Sequence, residues 1–475
     1  MSLSDPKYLL FLAAVVICLP FLPIGRARHV ALALASLCFY MMFNPWYGPL
    51  IVGVAAFVFF VVRILVRLPS GSLRVSVFCA AIIVTFLPLL LFKYVGVLNA
   101  FSSELGSLYF GYAVDMALPI GISFYTFQAV GYTIDAYVGN AEPEEDFVRV
   151  ASFLCFFPIL SAGPIERAAH LLPQLSKAGQ FDYGQSVSGL RAILIGLFLK
   201  IVIADNLAPL VDRVYAQPTS HGSLDLALAT VYFSFQVYAD FAGYSLIAIG
   251  SGRLLGIELL PNFSQPFLSQ SLPEYWRTWH MTLSGWFRDY VFTPLQFQWR
   301  RSGRAGLAAA LIVTFTVVGI WHGAGSKYAI FGLIHGLLVS WSTLTFKARD
   351  RFWTQLGVPR SFLQINRIVL TFAIVTLTFV LFRAANYQEA VWIYRNFASG
   401  NLGTLSLPVL WPSAMIGLLF LYDLTMKYNW AALLKTSTVF RLAAYHLAAT
   451  SVVVAYCIRI FDGSGSGQHF IYFKF

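Results

Sequence analysis

Twelve apolar runs recur along the chain, at 8–24, 29–44, 48–66, 75–95, 117–137, 187–203, 225–250, 305–321, 328–346, 366–383, 406–425 and 441–460. A bilayer core of about 30 Å is crossed by about 20 mostly apolar residues in a helix. Most of the runs approach that length, and no polar stretch between them is long enough to bury a core of its own. Charge is also too scarce for a soluble surface. Of 475 residues, 11% are charged and 58% hydrophobic, where a soluble domain carries roughly 25% charged residues. Disordered, collagen-like and disulfide-framework chains are excluded on the same composition. The expected fold class is an all-α polytopic membrane protein, with roughly 11–13 membrane helices plus re-entrant or interfacial helices.

Two stretches need separate treatment. The first run has no basic segment before it and exceeds a signal h-region, so it reads as a retained span. The stretch 150–163 is apolar but short and contains Pro158, Gly163 and, just beyond, Pro164. A half-buried or re-entrant helix suits it better than a full span.

Lysine and arginine number 32 against 21 acidic residues, a net charge of +11. In a soluble protein that balance would suggest nucleic acid; here it marks loops facing anionic lipid, and no nucleic-acid partner is expected. Arg26, Arg28, Arg63, Arg67, Arg74, Arg300, Arg301, Arg304, Lys347, Arg349 and Arg351 place their loops on the cytoplasmic side by the positive-inside rule. The segment 96–116, with Glu104 and Asp115, reads as external. Glu142, Glu144, Glu145 and Asp146 run against this pattern, falling where parity puts the cytoplasm. The five cysteines all lie in apolar stretches without a CxxC pair and read as small buried hydrophobes.

Zinc-binding HExxH, phosphate-binding GxxxxGK[ST] and the GxSxG nucleophile elbow do not occur. No metal is expected, and chemistry must come from polar residues lodged in apolar surroundings. The densest group is Pro273 to Tyr290. Trp276, Trp279, Leu283, Trp286 and Tyr290 recur every three or four residues, as one face of a helix would. Arg277, His280, Ser284 and Arg288 form a second stripe one residue on, roughly 100° around the same helix. Such a helix either anchors at the membrane interface or lines a polar cavity, and a histidine among the arginines favours the cavity.

An apolar helix from 305 also runs into Trp321-His322-Gly323-Ala324-Gly325. Histidine is costly in a span and titrates near neutrality, while the glycines admit a close-packed backbone or a thin substrate chain. A histidine satisfied by helix packing is the alternative. His335 lies thirteen residues further on, about 220° and about 20 Å away on a continuous helix. It can share a site with His322 only if the glycines break that helix. Asp240 stands out in Tyr-Ala-Asp-Phe-Ala-Gly-Tyr, with Arg277 or Arg288 as its expected partner.

These residues, taken in order, resemble a known family. Leu118 to Gln128, Phe157-Pro158, Ala162-Gly163-Pro164-Ile165, Ile203 to Ala208, Trp276 to Tyr290, Trp321 to Ala324 and the Phe470-Ile471-Tyr472-Phe473 ending are similar to the membrane-bound O-acyltransferases (MBOAT). The nearest likeness is to the AlgI subgroup, which O-acetylates alginate and related exopolysaccharides. Thr278, Gln296-Phe297 and Ser326-Lys327 depart from that subgroup's usual residues and leave the histidines in place.

The resemblance implies one MBOAT domain over 1–475, with N-terminal helices 1–117, a core 118–346 and C-terminal helices 347–475, enclosing an intramembrane site. It makes His322 the catalytic histidine and His280 its partner. Arg277, Arg288, Trp279, Trp321, Asp240 and His335 are the candidate substrate- or donor-binding residues. It implies acetyl-CoA as a donor substrate from the cytoplasm, with no bound cofactor, in a bacterial inner membrane. A periplasmic SGNH-type acetyltransferase and a polysaccharide synthase or secretion complex are the expected partners. D-alanyl transfer to an envelope polymer, a transporter or a non-catalytic scaffold are the other readings; a transporter would show inverted repeats, which are not found.

Overall fold

In the computed structural model the described residues are 2–105, 118–400, 402–428 and 438–461. Part of the segment 96–116, expected to be external, and the Phe470–Phe473 ending lie outside them. Every regular element among the described residues is helical. Six helical stretches are long and apolar enough to cross a membrane: Tyr47–Arg67, Ser72–Tyr94, Tyr183–Ala216, Arg300–His322, Ser326–Gln355 and Arg360–Arg383. Two shorter apolar stretches are Pro6–Phe21 and Leu442–Ile458. The chain is a multi-pass membrane protein. Its helices fall into two compact units, one of residues 1–196 and 244–261, the other of 197–243 and 262–475.

The first unit contains helices α1 (Pro6–Cys18), α2 (Arg26–Met41), α3 (Tyr47–Arg67), α4 (Ser72–Leu105), α5 (Ile122–Val138), α6 (Phe147–Cys155), α7 (Phe157–Leu160), α8 (Ala168–Leu175) and most of α9 (Tyr183–Leu197). Residues 150–166 are buried throughout, so the short apolar stretch forms two brief helices inside the unit. Entry into α5 requires glycine: Gly121 has φ +76, and a Cβ there would sit 1.8 Å from the Leu160 carbonyl oxygen. The acidic loop that opposed the charge pattern is partly neutralised. Arg149 pairs with Glu144 at 3.0 Å, and Arg63 donates to the Glu145 main-chain oxygen at 3.1 Å. Arg28 is buried and donates to the Leu22, Pro20 and Ala178 carbonyls.

The second unit begins where α9 passes into a π-helical turn, 198–204. It continues through α10 (Asp205–Ala216), the greater part of α11 (Ser223–Leu254), α12 (Leu272–Thr278), α13 (Met281–Phe287), α14 (Thr293–Gln298), α15 (Gly303–His322), α16 (Ser326–Gln355), α17 (Arg360–Arg383), α18 (Tyr387–Ala398), α19 (Leu410–Lys427) and α20 (Thr438–Phe461). Helices α15 and α16 form a hairpin whose backbones meet at Gly319 and Gly332. A Cβ at Gly319 would fall 2.2 Å from the Tyr328 carbonyl, and one at Gly332 2.3 Å from that of Phe315. Small residues allow this approach where the hydrophobic effect gives no drive between helices.

Candidate active site

The site is assembled in the second unit around a helix break that the aromatic periodicity conceals. Helix α12 starts at Ser271, whose side chain accepts the Glu274 N–H, with Pro273 in the first turn. It stops at Thr278, and α13 starts at Met281. The single helix expected over Trp276–Tyr290 is therefore two, followed by a π-helical turn at 288–292, and the Arg277–His280–Ser284–Arg288 stripe does not exist as a continuous face. The period survives in burial, because Trp276, Trp279, Leu283 and Trp286 are all buried.

His280 occupies the break with φ 42 and ψ 54, the left-handed conformation. A side chain there costs roughly 1–2 kcal/mol, and such strain is held only where neighbours enforce it. The neighbour is the segment around Asn262. Ser264 N–H donates to the Thr278 carbonyl at 3.0 Å and Met281 N–H to the Asn262 carbonyl at 2.8 Å, clasping the break from both sides. Asn262 Oδ1 lies 3.0 Å from His280 Nδ1 and accepts from Thr282 Oγ1 at 2.9 Å and Thr282 N at 3.3 Å. Asn262 was not singled out in the sequence. Its only signal there is an asparagine just before an aromatic and eighteen residues before a histidine, which is too common to notice.

His280 is fully buried, with Phe241 edge-on at 4.6 Å between ring centroids. Burial pushes its imidazole down to about 3, so the ring is neutral at physiological pH. The Trp321 ring lies 6.2 Å from it. The same Trp321 ring meets His322 at 4.8 Å. His322 is the last residue of α15, and Gly323 leaves the helix in extended conformation. Phe382 of α17 closes on His322 edge-on at 5.1 Å. Two buried histidines, 42 residues apart in sequence, thus flank one tryptophan.

The remaining candidates separate. The glycines do break the helix, and Phe331 bridges the two histidines of the hairpin, 6.3 Å from His322 and 4.4 Å from His335. His335 is engaged at both ring nitrogens. Trp276 Nε1–H can only donate, so Nδ1 accepts it at 3.2 Å; Nε2–H then donates to Thr378 Oγ1 at 2.9 Å, whose proton goes to the Val375 carbonyl. This is a structural tie between α12, α16 and α17. Trp279 is enclosed by rings: Tyr275 and Phe267 stack on it at 5.5 and 6.1 Å, and Phe263 meets it edge-on at 5.1 Å.

Asp240 meets Lys200 rather than an arginine. Lys200 Nζ sits 2.6 Å from Asp240 and 2.8 Å from Asp205, all three buried. Arg277 and Arg288 are exposed, and Arg288 pairs with its neighbour Asp289. Arg300, Arg301 and Arg304 are exposed at the start of α15. Among the described residues no cluster of three or more His, Cys, Asp or Glu could hold a metal ion.

A neutral imidazole in an enclosed, aromatic-walled site is equipped to take a proton from a hydroxyl or to hydrogen-bond a developing oxyanion. Comparison with known proteins shows the family. Residues 145–382, which contain both histidines, match the model of the membrane-bound O-acyltransferase family. The chain is 32% identical to the probable alginate O-acetylase AlgI of Pseudomonas aeruginosa, over 88% of this chain and 78% of that protein. It is 31% identical to the peptidoglycan O-acetyltransferase of Helicobacter pylori, over 78% of this chain and 73% of that protein. Identity to the teichoic acid D-alanyltransferase of Bacillus subtilis is 30%, over 66% of this chain and 79% of that one. The chain belongs to the membrane-bound O-acyltransferase family and is an O-acyltransferase.

Proposed function

We propose that this protein O-acetylates a cell-envelope or secreted polysaccharide, such as alginate or acetylated cellulose, from the bacterial inner membrane, with acetyl-CoA as the cytoplasmic donor. The observation that carries the reading is the pair His280 and His322 buried against one tryptophan, in a chain whose relatives include alginate and peptidoglycan O-acetylating proteins.

In the reaction, His322 accepts the proton of an acceptor hydroxyl as that oxygen bonds to the acetyl carbonyl carbon. The C–S bond of the thioester then breaks, and the thiolate leaves and takes up the proton. His280 orients the acceptor hydroxyl. The exposed arginines 300, 301 and 304 offer cations for the phosphates of a CoA-like donor. In this reading the acceptor is reached from the far side of the membrane. A periplasmic SGNH-type acetyltransferase carries the group to the polymer, within a synthase or secretion complex.

Donor competition tests the substrate assignment. Membranes containing the protein are given acetyl-CoA labelled in the acetyl group, or a D-alanyl thioester, and label on acceptor is counted. Label from acetyl-CoA supports O-acetylation. Label only from the D-alanyl donor would replace it with the teichoic-acid chemistry of the Bacillus relative.

A further inference from the structure

We propose that Asn262 is the positioning residue that sets the tautomer of His280, holding its Nε2 unprotonated toward the reaction. The proposal rests on the acyl-transfer reading for its consequence in catalysis, but not for its geometry.

The argument starts from a donor that cannot change roles. The Thr282 main-chain N–H points at Asn262 Oδ1 at 3.3 Å, and a main-chain N–H only donates. The side-chain oxygen, not the amide nitrogen, must therefore face it. Thr282 Oγ1–H donates to the same oxygen at 2.9 Å. With Oδ1 fixed in place as an acceptor, the ring nitrogen 3.0 Å away must carry the proton, so His280 Nδ1 is the N–H. A neutral imidazole has one proton, and Nε2 keeps the lone pair.

Asn262 also controls where that lone pair points. Its main-chain oxygen takes the Met281 N–H at 2.8 Å, so one residue grips the backbone after His280 with its carbonyl and the ring with its amide. This is what keeps His280 at positive φ between two short helices. Asn262 is buried. The rings packed on His280 come from α11 and α15. The titratable neighbours in sequence on those elements are Asp240, ion-paired with Lys200, and His322.

Asparagine suits the role because its oxygen accepts without adding charge. An aspartate would receive the same three donors but would stabilise the imidazolium and make His280 easier to protonate. A leucine of similar size would leave the tautomer unset.

The test uses the purified full-length chain labelled with ring-15N histidine, with the His280 resonances assigned by their loss in His280→Gln. In the unsubstituted protein the His280 signals should show Nδ1 protonated and Nε2 bare. In Asn262→Asp the ring should titrate about one pH unit or more higher. In folded Asn262→Leu the single-tautomer signature should be lost and kcat should fall about 100-fold or more with little change in KM. An Nε2-protonated ring in the unsubstituted protein, an unmoved titration in Asn262→Asp, or unchanged kcat in folded Asn262→Leu would each overturn the proposal. If the leucine variant does not fold, the aspartate titration decides alone. If the unsubstituted protein transfers no acyl group from any thioester donor, the acyl-transfer reading fails while the ring-nitrogen signals still judge the tautomer.

Discussion

Lys200 Nζ lies 2.6 Å from Asp240 Oδ1, with both side chains buried in the second unit and Asp205 Oδ1 2.8 Å from the same ammonium. The next residue after Asp240 is Phe241, the ring that packs edge-on against His280. The ion pair therefore fixes the turn of α11 that forms one wall of the site. The π-helical turn at 198–204 widens the backbone where Lys200 must reach both carboxylates, and such turns recur at functional positions.

Removing the cation should be costly. Lys200→Met leaves two buried carboxylates side by side and should destabilise the protein by about 3–5 kcal/mol, whereas Lys200→Met with Asp240→Leu should recover part of the loss. Unfolding of the purified variants in mixed micelles measures both. A single substitution as stable as the original would show that the cluster does not hold α11.

His335 should prove dispensable for chemistry. Thr378→Val leaves its Nε2–H without that acceptor and should cost about 1–3 kcal/mol of stability, while acetyl transfer per folded molecule stays close to its original value. A variant of full stability with abolished transfer would move His335 into the reaction.

The left-handed backbone of His280 separates side-chain chemistry from strain. His280→Gly and His280→Ala both remove the imidazole and should both lose transfer. Glycine reaches positive φ freely, so the glycine variant should be the more stable of the two by about 1 kcal/mol. Equal stability would mean that the αL geometry relaxes once the ring is gone.

Burial of His280 also predicts a pH dependence. The unfolded chain protonates this histidine near about 6.5, the folded one only near 3. Between those values the unfolded state binds more protons. Stability from this group is therefore complete above about pH 6.5 and declines as pH falls toward 3. Stability measured from pH 7 to pH 4 should fall less steeply in His280→Gln than in the original protein. Parallel curves would contradict the neutral, buried ring.

Much of this was legible in the residues. Scarce charge and apolar runs of spanning length define an all-helical membrane protein, and the same scarcity makes His280 and His322 conspicuous. The break at His280 was not legible. Aromatic residues at three- and four-residue spacing suit one helix as well as two short ones, and the interruption is enforced by Asn262, which lies outside the aromatic pattern eighteen residues earlier. The partner of Asp240 escaped for a related reason. Lys200 sits inside an apolar run forty residues earlier, while Arg277 and Arg288 were the more visible cations and are exposed. Local pattern reports which face is buried; it does not report which chain segment arrives to meet it.

The central claim is that His322 takes the hydroxyl proton in O-acyl transfer, and the direct measurement is acetyl transfer by purified His322→Ala in lipid nanodiscs, scored against an unfolding curve on the same sample. The account predicts an unfolding curve close to the original and transfer reduced by about 10²- to 10⁴-fold. Undiminished transfer from a folded His322→Ala would contradict it.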